Sequence, residues 1–446
     1  MNADQEKIIC VHLCSSAANK VYCMPLFKDV KKPVLKAAAK AGTEISPQRP
    51  RYMEKEAPCA HRCANGNDIR EVLVAIAQSK DYGRTNDQAF ELGWRRITAH
   101  NPFPAICGRI CSHGCENGCN RKSKDGAVAI HDVERFLGDF GIERNLMLGR
   151  PKEARNERVA VLGAGAAGLS CAYHLAMEGF RVTVFEAFSQ AGGVFRYGVP
   201  ESRLPREILD AEIHRILELG VELKCDCAVG WDISAEQVQA EYQATFVGGG
   251  VQRSSHAGLS GTAFLNLINH GDRFAFGPKV AITGEGLLAR DAARVCERLG
   301  AQIVTGEADT ILDCTELEPQ HYGPEALRSG KGRIAAEDII ARLTGVASPK
   351  AASVAMITAD KMKLDWYPAS PCHESTPGLS EPEVLEEAKR CMSCGMCMDC
   401  ETCWMYCTNN CFVKLPKGEH YKLKLEVCNG CRKCAEACPC GYIEMI

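Results

Sequence analysis

The chain has 446 residues, 46% of them hydrophobic and 24% charged, and 53 basic against 56 acidic side chains leave a formal charge of −3. That balance excludes a nucleic-acid-binding surface and a broadly membrane-attracted one, and no run approaches the roughly 18 apolar residues of a membrane span. The length suits about three domains, while 27 cysteines behind a start, MNADQEKIICVHL, that lacks signal-peptide character imply metal or redox ligation in the cytoplasm rather than disulfides.

Residues 1–50 read as an N-terminal extension carrying Cys10, Cys14 and Cys23, either additional ligands or plain thiols, and a lysine-rich stretch from Lys28 to Lys40 that suits a solvated helix face. Residues 51–155 are helix-prone with little β-branched periodicity. They hold Cys59-x3-Cys63 and then Cys107-x3-Cys111-x3-Cys115-x3-Cys119, metal-ligand spacings with no strand between them. Buried structural cysteines are the plainer alternative, but six at such spacing would fill a core oddly.

Residues 156–278 open with strand, turn, helix, strand. Arg158–Leu162 is apolar, Gly163-x-Gly165-x-x-Gly168 follows, a helix runs to Glu178, and Arg181–Phe185 ends in Glu186. This is the dinucleotide fingerprint in its context: Gly163 permits the turn, Gly165 admits a pyrophosphate to the helix start, Gly168 allows close helix–strand packing, and Glu186 is placed to accept ribose hydroxyls. In residues 279–316 the pattern returns as Lys279–Thr283, Gly284-x-Gly286-x-x-Ala289, a helix to Leu299 and a strand near Ile303. No basic or polar selecting loop follows and little chain remains, so it reads as a truncated NAD(P)-type domain that does not bind NAD(P)H. Residues 317–385 read as a linker that wraps rather than packs, with Pro368, Pro371 and Pro377 opposing a long helix.

Residues 386–446 hold twelve of the cysteines. Cys397-x2-Cys400-x2-Cys403-x3-Cys407 recurs as Cys428-x2-Cys431-x2-Cys434-x3-Cys438, with Pro439 next. That is bacterial two-cluster ferredoxin spacing, in which the fourth cysteine of each run ligates the other cluster. Cys438 then completes the first site and Cys407 the second. Zinc ribbons, built from separated ligand pairs, fit the rows less well. Thr408 stands where a proline usually follows the fourth cysteine, Cys391 and Cys394 exceed what a ferredoxin needs, and Cys411 and Cys440 are spare.

Asn101-Pro-Phe-Pro-Ala-Ile-Cys-Gly-Arg-Ile-Cys111, Cys115-Glu116, Gly192-Gly193-Val-Phe-Arg-Tyr-Gly-Val-Pro200 and Arg203-Leu-Pro-Arg206 resemble the glutamate synthase small subunit and the N-terminal half of dihydropyrimidine dehydrogenase over roughly residues 51–305. With its ferredoxin tail, the chain's layout is most similar to the iron–sulfur flavoprotein oxidoreductases linked to dissimilatory sulfite reductase. The resemblance implies a multidomain fold: an α-helical iron–sulfur domain, an α/β Rossmann-type FAD domain with a truncated second dinucleotide domain and a closing helix near 331–345, and an α+β bacterial 2[4Fe-4S] ferredoxin domain. No Gly-Asp precedes that closing helix, unlike in family members. The resemblance also implies FAD contacts at Gly163, Gly165, Gly168, Glu186, Gly192, Gly193, Arg203 and Leu204. It implies one cluster on Cys63, Cys111, Cys115 and Glu134, and another that uses Cys59 and Cys119 with an N-terminal C-x2-C pair which has no counterpart here. Ala388-Lys-Arg-Cys-Met-Ser-Cys-Gly395 is similar to that missing pair, so Cys391 and Cys394 are expected to fold back and complete the site, with Cys10, Cys14 and Cys23 as rivals.

The expected function is that of an electron-transfer subunit, relaying electrons between partner redox subunits or ferredoxin through FAD and about four [4Fe-4S] clusters. It would work in a hetero-oligomeric complex of an anaerobe, with no catalytic acid, base or nucleophile of its own. The alternatives are an NAD(P)H:acceptor oxidoreductase and a flavin-free cluster scaffold.

Overall fold

A computed structural model describes residues 45–248, 259–270, 278–314, 325–346, 354–373, 378–416 and 419–446. Cys10, Cys14, Cys23, the Lys28–Lys40 stretch and Pro377 lie outside them.

After a short strand β1 (Pro50–Tyr52), residues 58–143 form helices α1 (Pro58–His61), α2 (Ile69–Ala77), α3 (Asn86–Thr98), α4 (Pro104–Ile110), α5 (Gly114–Asn117) and α6 (Ile130–Glu143). The Asp68 carboxylate accepts the Arg70 and Glu71 N–H groups to start α2, and Thr85 with Gln88 forms a capping box on α3. α4 and α6 cross in near backbone contact because both present glycine: a Cβ on Gly108 would lie 2.3 Å from Arg135 N, and one on Gly138 2.2 Å from Ala105 N. Trp94, Phe90, Leu73, Ile106 and Leu137 are buried in the core around them.

The next unit comprises β2 (Arg158–Leu162), α7 (Ala166–Met177), β3 (Arg181–Phe185), α8 (Val194–Tyr197), α9 (Arg206–Leu217), β4 (Glu222–Lys224), α10 (Ala235–Glu241) and β5 (Ala244–Val247). Its sheet is parallel with order β4-β3-β2-β5. It shares one core with the helical region, and a buried carboxylate sews the joint. The residue before α4, Phe103, offers no capping side chain, and Glu212 of α9 supplies the acceptors instead, taking the Ala105 N–H at 2.8 Å and the Ile106 N–H at 3.1 Å.

A second parallel sheet has order β6-β9-β7-β8, from β6 (Leu259–Ser260), β7 (Lys279–Thr283), β8 (Gln302–Val304) and β9 (Thr310–Asp313), with α11 (Gly261–His270) and α12 (Leu287–Arg298). It has a small core of its own around Phe264, Leu265, Val280, Val295 and Leu312. It meets the first unit through an Arg203–Asp291 ion pair and through Asn269, whose amide donates to Tyr197 O at 3.0 Å.

The closing helix, expected near 331–345, is α13 (Glu325–Thr344). It lies against α7 with backbone-close contact, where a Cβ on Gly332 would fall 2.1 Å from Ala167 O, and against the loop after α1, where one on Gly330 would fall 1.9 Å from Ala64 O. Segment 354–373 departs from the expected wrapping linker. Ile357, Met362 and Tyr367 are buried in the main core, because the apolar side chains between its turns find a hydrophobic surface that the proline pattern does not reveal. Helix α14 (Glu381–Arg390) packs on α2 and α6 and delivers the tail.

The tail folds as α15 (Thr402–Tyr406), an antiparallel β10 (Phe412–Val413) and β11 (Lys422–Leu423) pair, α16 (Lys433–Ala437) and β12 (Ile443–Met445). Strand β12 pairs with β1, Pro50 opposite Met445 and Tyr52 opposite Ile443. Ser46 N–H donates to Asn429 O at 3.1 Å, and Arg49 and Ile446 exchange backbone bonds. The tail is thereby stitched to the chain just ahead of the helical region.

Candidate cluster centres and dinucleotide turn

Cys59, Cys119, Cys391 and Cys394 come together, two from the helical region and two from the tail. The Cys59 thiol feels Cys394, Cys391 and Cys119 electrostatically, and Cys391 feels Cys394 and Cys119; burial is the main cause that raises Cys59, Cys391 and Cys394, the last to about 12. Local structure explains the meeting. α14 ends at Cys391, Gly395 adopts a left-handed φ of +71° against Lys55, and Lys55 N–H donates to Gly395 O at 3.0 Å.

Cys63, Cys111, Cys115 and Glu134 form a second set. Burial pushes Cys111 up to about 12 and raises Cys63 and Cys115, and in each case Glu134 adds to the effect. Burial also lifts Glu134 to about 7 while the Asn101 amide, donating at 2.9 Å, works against it. Beside this set the Glu116 carboxylate accepts from both the ring and the backbone N–H of His131. Cys107, first in that row of four, is a buried thiol between Asn65 and Asn101.

In the tail, one cavity is lined by Cys397, Cys400, Cys403 and Cys438, and a second by Cys407, Cys428, Cys431 and Cys434. The fourth cysteine of each run lines the other run's cavity. The two spares join them: Cys440 sits 3.8 Å from Cys438 Sγ, and Cys411 lies in the second cavity with its N–H directed at Cys407 Sγ, 3.2 Å away. The Cys440 thiol stabilises its neighbour's thiolate, which lowers Cys438 to about 6. Tyr442 N–H to Cys438 Sγ at 3.3 Å and Gly430 N–H to Cys428 Sγ at 3.4 Å add the N–H···S bonds that thiolate sites use. Sets of four clustered thiols, or three with a carboxylate, joined by such donors, suit an iron–sulfur cubane.

The first dinucleotide turn is built from facing glycines. Gly163 has φ +99°, a Cβ on Gly168 would lie 1.8 Å from Gly163 O, and one on Gly193 would lie 2.7 Å from Gly165 Cα. α7 starts at Gly165 with no capping side chain, leaving its first N–H groups for an anion. Glu186 is buried, and its oxygens accept the Ala164 N–H at 2.6 Å and the Phe188 N–H at 3.0 Å. Gly192 N–H donates to Ala164 O at 2.8 Å, which brings the 192–193 pair onto the turn. Leu204 is buried, and Arg203, expected at a cofactor, engages Asp291 and Ile110 O. No local sequence mark announces that cross-domain pair. The glycine cradle and open helix start suit a dinucleotide pyrophosphate.

Two recognised domain types coincide with these regions: dihydropyrimidine dehydrogenase domain II, 4Fe-4S cluster, over residues 27–146, and an NAD(P)-binding Rossmann-like domain over residues 161–219. The chain thus joins an iron–sulfur domain to a dinucleotide-binding fold. It is 34% identical over 285 residues to the NAD-dependent dihydropyrimidine dehydrogenase subunit PreT of Salmonella typhimurium, covering 61% of this chain and 67% of that one. It is 35% identical to the NADPH-Fe(3+) oxidoreductase subunit beta of Geobacter sulfurreducens, over 56% of this chain and 38% of that one. A third relative, the NADP(+)-dependent formate dehydrogenase subunit beta of Moorella thermoacetica, is also 35% identical, over 62% and 45%. The chain belongs to the iron–sulfur flavoprotein family of the glutamate synthase small subunit and the N-terminal half of dihydropyrimidine dehydrogenase. It spans less than half the length of the Geobacter and Moorella relatives. Among the described residues no helix is long and apolar enough to cross a membrane.

Proposed function

We propose that this chain is an electron-relay subunit of a larger redox complex, holding FAD at the first dinucleotide turn and [4Fe-4S] clusters at the four ligand sets. The observation that carries the reading is the sequence of sites along one continuous fold. Cys391 and Cys394 sit in the helical region's set, and Cys397, three residues on, already lines a tail cavity. When bound, the flavin would supply exchange between two-electron and one-electron carriers, and the clusters one-electron transfer. The chain's own part is to hold these groups: the α7 N–H groups and glycines cradle the pyrophosphate, α14 positions the strap cysteines, and the β1–β12 pairing fixes the tail. The tail is accordingly read as a two-cluster ferredoxin domain. The second sheet is read as a remnant without NAD(P)H binding, since the loop after β8, Thr305-Gly306-Glu307, carries no basic side chain.

Partners are other redox subunits or a ferredoxin, in keeping with the subunit names of the relatives. Anaerobic reconstitution should yield about sixteen irons per chain with one flavin, and Cys391→Ser combined with Cys394→Ser should remove about four irons. Unchanged iron in that double variant would sink the ligand assignment. Reduced ferredoxin should bleach the flavin band while NADH and NADPH leave it intact. Bleaching by either nucleotide would select a second reading, an NAD(P)H:acceptor oxidoreductase, which the positive φ values of Gly284 and Gly286 and the β7–α12–β8 unit favour.

A further inference from the structure

Beside the strap cysteines lies a cation that the relay reading leaves unused. Arg70 is buried, its side chain only 4% exposed, and all three guanidinium nitrogens are engaged. Nε and one terminal nitrogen hold the Asp68 carboxylate as a fork, at 3.0 and 2.5 Å. The other terminal nitrogen donates to two backbone carbonyls, Lys55 O and Cys394 O, both at 2.7 Å. It therefore clasps the strap at one of its own cysteines, from a helix 324 residues away in sequence.

The charge this arrangement delivers is uneven across the molecule. The guanidinium reaches the strap directly, donating to Cys394 O at 2.7 Å, while its Asp68 partner holds its other edge. The neighbouring set has the opposite character, with the Glu134 carboxylate, held by the Asn101 amide at 2.9 Å, among its members. Reducing a cluster adds a negative charge, which a fixed cation in a poorly screened interior stabilises and a fixed anion opposes. Hydrogen bonding and charge just outside the ligands are the means by which a protein sets cluster potentials.

We propose that Arg70 is a positioning and redox-tuning residue: it fixes the strap through Cys394 O and places the reduction potential of the strap cluster above that of its neighbour in the helical region. An electron reaching the helical region would then settle on the strap cluster, the one whose ligand loop continues into the tail. The proposal rests on the reading that Cys59, Cys119, Cys391 and Cys394 hold a cluster.

The experiment is a potentiometric titration followed by electron paramagnetic resonance on the anaerobically reconstituted full chain, with the strap signal assigned as the one lost in Cys391→Ser. In Arg70→Met the midpoint of that signal should move to lower potential while the other clusters keep theirs. Asp68→Asn, which preserves the helix cap and removes the anion from the guanidinium, should move the same midpoint upward. Full iron with unmoved midpoints in both variants would overturn the proposal. If Arg70→Met loses iron, the direction of the Asp68→Asn shift decides. Retention of all iron in Cys391→Ser would remove the cluster assignment itself, an outcome distinct from unmoved midpoints.

Discussion

The strand, Gly-x-Gly turn and helix occur twice in this chain, and the two copies have different fates. In the first, the middle residues of β2 are fully buried, α7 is overlaid by α13, and Tyr173 ties the helix to the iron–sulfur region by donating to Thr98 O at 2.7 Å. In the second, β7 leaves its ends exposed, the central strand β9 shows Ile311 48% exposed, and the core is small and separate. The third fingerprint position registers the difference. Gly168 leaves no room for a Cβ, whereas Ala289 carries one and stays buried. The motif specifies a turn, and the tightness of what surrounds it decides whether the turn becomes part of a rigid site.

The contrast can be broken most severely at Gly168. Gly168→Ala should cost more than about 3 kcal/mol, since the clashing atom is backbone and cannot swing aside, and should also abolish dinucleotide retention. Denaturant unfolding and released chromophore would measure both, and a loss under 1 kcal/mol would show that the first turn is looser than drawn. Gly332→Ala, which forces α13 off α7, should cost about 2 kcal/mol by the same reasoning and be read by the same unfolding midpoint.

A third test concerns the buried carboxylate that joins α9 to α4. Burial raises Glu212 to about 8, with the two amide bonds and Arg215 pulling the other way, against about 4.3 in an unfolded chain. The folded form therefore holds a proton more readily than the unfolded one. Stability should be greatest below about pH 4.3 as far as this group is concerned and decline as pH rises toward 8. Melting temperatures of Glu212→Gln should lack that component of the slope, and a parallel pH profile would refute it. The mildest change is Ala289→Gly, expected to cost no more than about 1 kcal/mol from helix propensity and to leave retention of the proposed flavin at the first turn untouched. A drop in flavin content would mean that the two units are more tightly coupled than their separate cores indicate.

Much of this contrast is legible in the chain itself. Arg158–Leu162, Arg181–Phe185 and Lys279–Thr283 occupy their expected bounds, because short apolar, β-branched runs that alternate with helices leave few other options. The tail's cysteine rows likewise announce which thiols share a cavity, since spacing of two and three residues is a local geometric statement. What escapes is whatever depends on a partner far away. Glu212 sits in an ordinary helix until α4 lacks a cap. Arg203 carries the mark of a cofactor ligand in its motif but none of its ion pair with Asp291. Pro50–Tyr52 falls at a domain edge and carries no strand signal strong enough to point to residues 443–445. The long segment before the tail hides its packing for the same reason, as Ile357 and Tyr367 stand in short apolar runs whose partner surfaces lie far away in the chain.

The strap also imposes an order on biosynthesis. On the proposed ligand set, a nascent chain that has emerged through α13 exposes Cys59 and Cys119 with half of their coordination sphere still untranslated. Domains ordinarily fold in the order in which they leave the ribosome, yet this centre cannot be filled until the tail arrives. Cluster loading at that position is therefore a late step, and it reports that translation has passed the strap.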